Sequence, residues 1–261
     1  MLMKSQLALL ALSIATSLNV NAATWSTTQF HLNHGKFTNP FSEQKSPTTI
    51  YSLQHASAHQ YGDNFFFVDY SDDTRVDGFQ DGDFYSEWYS SLSLSKTTGT
   101  NVSLGHLSDI SFVMGFNISG DAKVRKYLPG FKLHWNVPNF KFFTTTFTAY
   151  IDDSGGLTQG GAPSHTDSWM FDVAWGYPFS VGTQRFYLTG HAEYIDARRN
   201  ELGAIVNEWI LIQPQLQWDL GNALGYDENS LMLGLEWQLW RNKLGTNTNE
   251  SVPQLHVAWT F

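Results

Sequence analysis

The chain has 261 residues and no cysteine, which excludes disulfides and thiolate metal sites. A formal net charge of −9 at pH 7 excludes the basic surface that nucleic acid requires. Aromatic residues make up 15% of the chain, with 10 Trp, 11 Tyr and 19 Phe. That content is heavy for a water-soluble domain and fits a membrane barrel with aromatic girdles.

Met1 to Ala22 reads as a secretory signal peptide. Lys4 is its charged start, and Leu7 to Ala15 its apolar core, too short for a spanning helix. Val20-Asn-Ala22 carries small residues at the cleavage positions, so Ala23 is the expected mature start. No later run of about 18 apolar residues follows. Any membrane passage must use strands, and one unit over 23–261 is expected.

Period-two alternation then runs along the chain. Segments 24–33 and 48–56 are the weakest; Ile50 to Leu53 hardly alternates. Segment 62–70 follows. In 84–95, Trp88, Leu92 and Leu94 oppose Glu87, Tyr89, Ser91 and Ser93. In 107–118, Ile110, Phe112, Met114, Phe116 and Ile118 share one face. Segments 123–136 and 140–151 flank Val137-Pro-Asn139. In 166–177 and 185–196 the oily faces carry Trp169, Phe171 and Trp175, then Phe186, Leu188 and Tyr194. Segment 207–220 sets Ile210, Ile212, Leu216 and Trp218 against Gln213, Gln215 and Gln217, and 230–242 sets Leu235 and Trp237 against Glu236 and Gln238. The last, 251–261, sets Leu255, Val257, Trp259 and Phe261 against Gln254, His256 and Thr260. Helical spacing fits none of these as well.

Many of the segments reach about 10–14 residues, against about 5–6 in soluble strands and about 9–11 needed to cross a bilayer. The expected fold is therefore all-β: a transmembrane antiparallel up-and-down β-barrel of about twelve strands. An even count puts both termini on the periplasmic side. Outer loops fall at about 34–47, 71–83, 119–122, 152–165, 197–206 and 243–250. Inner turns fall at about 57–61, 96–106, 137–139, 178–184 and 221–229.

Enzyme signatures are absent: no His-Glu-x-x-His, no Gly-x-Ser-x-Gly and no phosphate-binding loop. His55 and Ser57 have the spacing of a membrane-embedded lipase pair, which alternation also produces by chance; no catalytic residue is expected. The acidic stretch Asp72 to Asp83 lacks calcium-loop spacing and reads as a solvated outer loop. No metal or cofactor is expected. The inward parity instead collects Phe65, Phe67, Asp69, Glu87, Tyr89, Asp109, His191, Glu193, Trp209, Gln213, Glu236 and Trp240 as candidate solute-binding residues. Charged residues in a membrane strand must face inward whatever the function. Inward aromatics either stack a flat solute or fill a rigid plug, and parity leaves both open.

Several blocks resemble the Tsx-like nucleoside-specific channel family and its OmpK-type relatives. They are His55-Ala-Ser-Ala-His-Gln-Tyr-Gly-Asp-Asn-Phe-Phe-Phe-Val-Asp69, Tyr85-Ser-Glu-Trp88, Leu92-Ser-Leu-Ser95, Val137-Pro-Asn-Phe140, Trp175-Gly-Tyr-Pro-Phe179, Pro214-Gln-Leu-Gln-Trp-Asp-Leu-Gly221, Gly234-Leu-Glu-Trp237, Asn242-Lys-Leu-Gly245 and Val252-Pro-Gln-Leu255. The resemblance implies a monomeric outer-membrane barrel with a narrow lumen that passes nucleosides. It also implies recognition of the last strand by the barrel-insertion machinery, and for some relatives a phage or colicin at the outer loops. Outer-membrane lipids and lipopolysaccharide are the expected surroundings. The alternative is a non-conducting surface barrel acting as a structural or receptor protein.

Overall fold

A computed structural model describes residues 23–261; the expected signal peptide, Met1 to Ala22, lies outside them. Twelve long strands close a ring: β1 (Trp25–Thr38), β2 (Lys45–His59), β3 (Gly62–Asp73), β4 (Asp81–Ser93), β5 (Leu107–Ser119), β6 (Val124–Trp135), β7 (Phe142–Asp152), β8 (Ser168–Val181), β9 (Gln184–Ile195), β12 (Trp209–Asp219), β13 (Leu231–Arg241) and β14 (Glu250–Thr260). Two short strands, β10 (Arg198–Arg199) and β11 (Ile205–Val206), pair only with each other. Every barrel strand runs antiparallel to its chain neighbours, and β14 returns to β1 to close the sheet. The expected twelve-stranded antiparallel barrel is what forms.

The ring has two unlike ends. One carries loops L1 (39–44), L2 (74–80), L3 (120–123), L4 (153–167), L5 (196–208, containing β10 and β11) and L6 (242–249). The other carries turns at 60–61, 94–106, 136–141, 182–183 and 220–230. Short helices α1 (Leu94–Thr98) and α2 (Leu220–Ala223) sit in two of the turns. Ser93 and Asp219 cap them by accepting from the N–H of Lys96 and Asn222.

Polarity is inverted relative to a soluble protein. Phe30, Leu53, Trp88, Phe112, Phe131, Phe147, Leu216, Leu235, Trp237 and Leu255 are all exposed on the outer wall. Gln254, His256, Thr48, Thr148 and Ser91 are completely or almost completely buried on the inner wall. An apolar belt of that extent is far beyond the patches a water-soluble monomer tolerates, and hydrocarbon is its proper solvent. Among the described residues no helix is long and apolar enough to cross a membrane; the strands cross.

The first two strands extend beyond the expected 24–33 and 48–56. Near the loop end Phe37, Ile50 and Val252 turn inward as a dry cluster, while Lys36 and Lys45 are exposed. The in–out polarity reverses there because the strand has left the hydrocarbon. The alternation rule ends before the strand does.

Candidate functional site

Alternation on β3 and β4 builds one inner wall. The register pairs Phe65 with Tyr89, Phe67 with Glu87 and Asp69 with Tyr85. The rings of Phe65 and Phe67 lie 6.2 Å apart, and those of Phe67 and Tyr85 6.0 Å, both tilted. The Tyr85 hydroxyl donates to Glu87. Asn117 on β5 donates to Glu87 Oε1 at 3.0 Å and to Tyr85 Oη at 3.1 Å. Tyr89 rests on Gly115, where an added Cβ would lie 2.5 Å from its ring. The glycine is the berth that lets this ring lie flat on the wall.

The opposite wall is polar. In ring order, β9 and β12 sit six strands from β3 and β4, so the two walls face each other. His191 Nδ1 meets Asp172 Oδ2 at 3.1 Å, and its Nε2 meets Gln213 Oε1 at 2.8 Å. Gln213 Nε2 donates to Glu236 Oε1 at 3.3 Å, which fixes the way its amide faces. Trp209 Nε1 donates to Glu193 Oε1 at 3.3 Å. Across the lumen, Glu87 lies within Coulomb range of His191 and Asp172, and Tyr89 of Glu193. The two walls are close at this level, yet side-chain surface remains accessible between them: the His191 side chain is 37% exposed and that of Asp172 18%.

A third region closes the ring from inside. Glu236 accepts from Gln213 (3.3 Å) and Gln254 (2.8 Å) on one oxygen, and from Gln215 (2.5 Å) and Asn33 (3.4 Å) on the other. His256 Nδ1 meets Asn33 Oδ1 at 2.6 Å, and Gln217 Nε2 meets His256 Nε2 at 2.9 Å. Because Asn33 and Gln217 donate through their amide nitrogens, the network assigns His256 as neutral, with its proton on Nδ1. These side chains staple β1, β12, β13 and β14 together.

All twelve candidate residues face the interior. Phe65, Phe67, Glu87 and Tyr89 come together on the aromatic wall, with Asp69 one rung nearer the loops. His191, Glu193 and Gln213 come together opposite. Glu236, only 4% exposed, is committed to its four amides. Trp209 is buried in a dry cluster with Leu128, Tyr150, Met170, Ile195 and Val206, and Trp240 packs against it. Asp109 stands apart at the turn end. It accepts from the Ser93 hydroxyl and from the N–H of Ser95 (3.2 Å) and Ile110 (2.9 Å), which holds α1. His55 and Ser57 sit on the outer wall, where His55 Nδ1 meets Thr28 Oγ1 at 2.8 Å. Asn117 and Tyr85, which order Glu87, and Arg198 over Trp209 were not singled out from sequence. Inward parity marked the first two; nothing marked Arg198, because L5 has no long period to read.

The site and fold define a transmembrane β-barrel with a narrow, two-faced interior. No protein-family model and no curated protein matches the chain. Among solved structures, the KdgM porin is similar at 9% identity, covering 89% of this chain and 99% of that one with a TM-score of 0.48. The translocator domain of the autotransporter NalP from Neisseria meningitidis is similar at 9% identity, covering 99% and 96%, TM-score 0.41. OccD1 (OprD) gives 9% identity, 93% and 97%, TM-score 0.28. Likeness of this degree assigns no solute.

Proposed function

We propose that the protein is a channel of the bacterial outer membrane for diffusion of small solutes, with nucleosides the favoured solute. The observation that carries this reading is the facing of two unlike walls across one narrow lumen. Phe65, Phe67, Tyr85 and Tyr89 offer ring faces; Asp172, His191, Glu193 and Gln213 offer hydrogen-bonding groups opposite. A nucleoside has one flat ring to stack and several hydroxyl and amino groups to bond. Base–aromatic stacking contributes about 1–3 kcal/mol per base, weak enough for release. The resemblance to the Tsx-like family supports the same solute. Export by the signal peptide, loops facing outward, insertion through the β14 signal and a monomer ringed by lipid and lipopolysaccharide complete the reading. The test is current through single channels in planar bilayers. Adenosine and thymidine block it if the reading holds; absence of both conductance and solute uptake ends it.

A second reading, a non-conducting surface receptor for a phage or colicin, draws on the loops. L3 joins L4 through Ala162 N–H to Ala122 O (2.8 Å), L4 joins L5 through Thr166 N–H to Arg199 O (2.8 Å), L5 joins L6 through Asn207 N–H to Gly245 O (3.0 Å), and L6 joins L1 through Thr248 Oγ1 to Pro40 O (3.3 Å). Such a rim would present a fixed outer surface. Partner binding lost on loop deletion, in a barrel that never conducts, would favour it.

A further inference from the structure

We propose that the L5 hairpin is a lid over the loop-end mouth of the barrel and that Arg198 is its latch; that the lid gates a solute rests on the channel reading above. The hairpin pairs Arg198 with Val206 and Arg199 with Ile205. Alternation therefore gives it two faces. Arg198 and Val206 are 5% and 8% exposed and point into the barrel; Ile205 is 65% exposed and points away. The Arg198 guanidinium lies 4.1 Å from the ring centre of Trp209 and 5.3 Å from that of Tyr150. It also donates to Asp196 O at 3.2 Å and His165 Nδ1 at 3.4 Å.

What separates Arg198 from the other buried cations is its partner. Lys126 is tied to Asp152 at 2.9 Å and Lys243 to Glu250 at 2.6 Å. Among the described residues Arg198 forms no ion pair. A guanidinium on aromatic faces is a lighter tether than a buried ion pair, whose separation strands a charge. The remaining holds on L5 are the packing of Val206 in the dry cluster and, at the exposed rim, hydrogen bonds to L4 through main chain, Thr166 and Glu201, which water replaces at small cost. The contacts of Asn207 and Glu208 with L6 are where the hairpin re-enters the barrel and would pivot. Raising it uncovers Trp209 and Tyr150. A flat solute would then meet the same ring faces that the guanidinium covers, so lid closure and solute entry compete for one surface.

The chain has no cysteine, so a single Val206→Cys reports the buried face of the lid without background. In purified protein, the rate of labelling by a polar maleimide is compared between V206C alone and V206C with Arg198→Ala. The lid reading expects labelling about tenfold faster without the guanidinium, the scale of one lost cation–π contact. Arg198→Lys, which keeps charge but not the planar stack, is expected between the two. Folding of each variant is checked by heat-modifiable gel mobility. Equal rates in all three overturn the lid. Faster labelling in a barrel that conducts in no variant leaves the lid standing and removes the channel; conductance with equal rates does the reverse.

Discussion

Glu236 shows what parity cannot. Its position on β13 makes it face inward, and so do those of Asn33, Gln213, Gln215 and Gln254. That all four amides converge on one carboxylate depends on β12 and β14 meeting β13, and β1 meeting β14, in one register, which no local pattern encodes. Removing that carboxylate leaves buried donors without an acceptor. Glu236→Ala is expected to cost about 2–4 kcal/mol, read as a lower urea midpoint in lipid vesicles, and Glu236→Gln less, because it keeps the volume and one acceptor. Phe67 is the opposite kind of residue: its ring is a face rather than a fastener. Phe67→Ala is expected to leave the midpoint nearly unchanged while weakening nucleoside block about 5- to 100-fold, the equivalent of one lost stack. An equal block in both proteins would remove Phe67 from the solute path.

At the scale of elements, the closing pair is the thinnest. The ladder between β1 and β14 runs from Gln29–Thr260 to His34–Leu255 and stops. The next rungs would bring Lys36 against Pro253, which has no N–H to give. Side chains take over. Glu250 accepts from the Thr38 N–H, and Lys243 donates to Thr38 O and to Glu250, with both side chains almost fully buried. Lys243→Met leaves Glu250 buried without its cation and is expected to destabilise the barrel by about 3–5 kcal/mol; a second change, Glu250→Leu, should restore much of it. Urea unfolding of the single and double variants checks both. L4 offers a pH test. Burial first, then the charges of Lys126 and Arg198, lower His165 from 6.5 to about 4, against the pull of Asp152 and Glu201. An undocked ring therefore binds a proton between about pH 6.5 and 4 that the docked ring refuses, so docking is fully stable above that window and weakens through it. Exposure and screening reduce the effect to about 1–2 kcal/mol. A spin label at Leu202 should gain mobility on acidification from about pH 7 to 4.5; unchanged mobility would separate His165 from the loop contacts.

For the whole molecule, the strand count, the antiparallel order, the sides of Trp88, Trp169, Trp237 and Trp259, and most loop positions were legible in the sequence. A hydrocarbon belt imposes a strict two-residue code on whatever crosses it. The code fails where that solvent ends: at Phe37 and Ile50, which turn inward above the belt, and in L5, whose two-rung hairpin is too short for a period. It also cannot say which wall meets which. The aromatic and polar walls were one undivided list of inward residues until closure of the ring set β3 and β4 against β9 and β12.

That closure has a temporal consequence. Eleven of the twelve barrel ladders join consecutive barrel strands, nearly all of them hairpins that form without waiting for distant chain. The twelfth joins residues 29–34 to 255–260, from opposite ends of the sequence, and carries the largest loop-closure entropy in the protein. Folding should therefore be limited by one late encounter between strands synthesised first and last. Until it happens, β1 and β14 are open edges able to pair with another chain. Asn33→Ala, at this encounter, should slow refolding into micelles and leave the unfolding rate nearly unchanged. Stopped-flow fluorescence separates the two rates, and a barrel whose refolding ignores Asn33 does not close last.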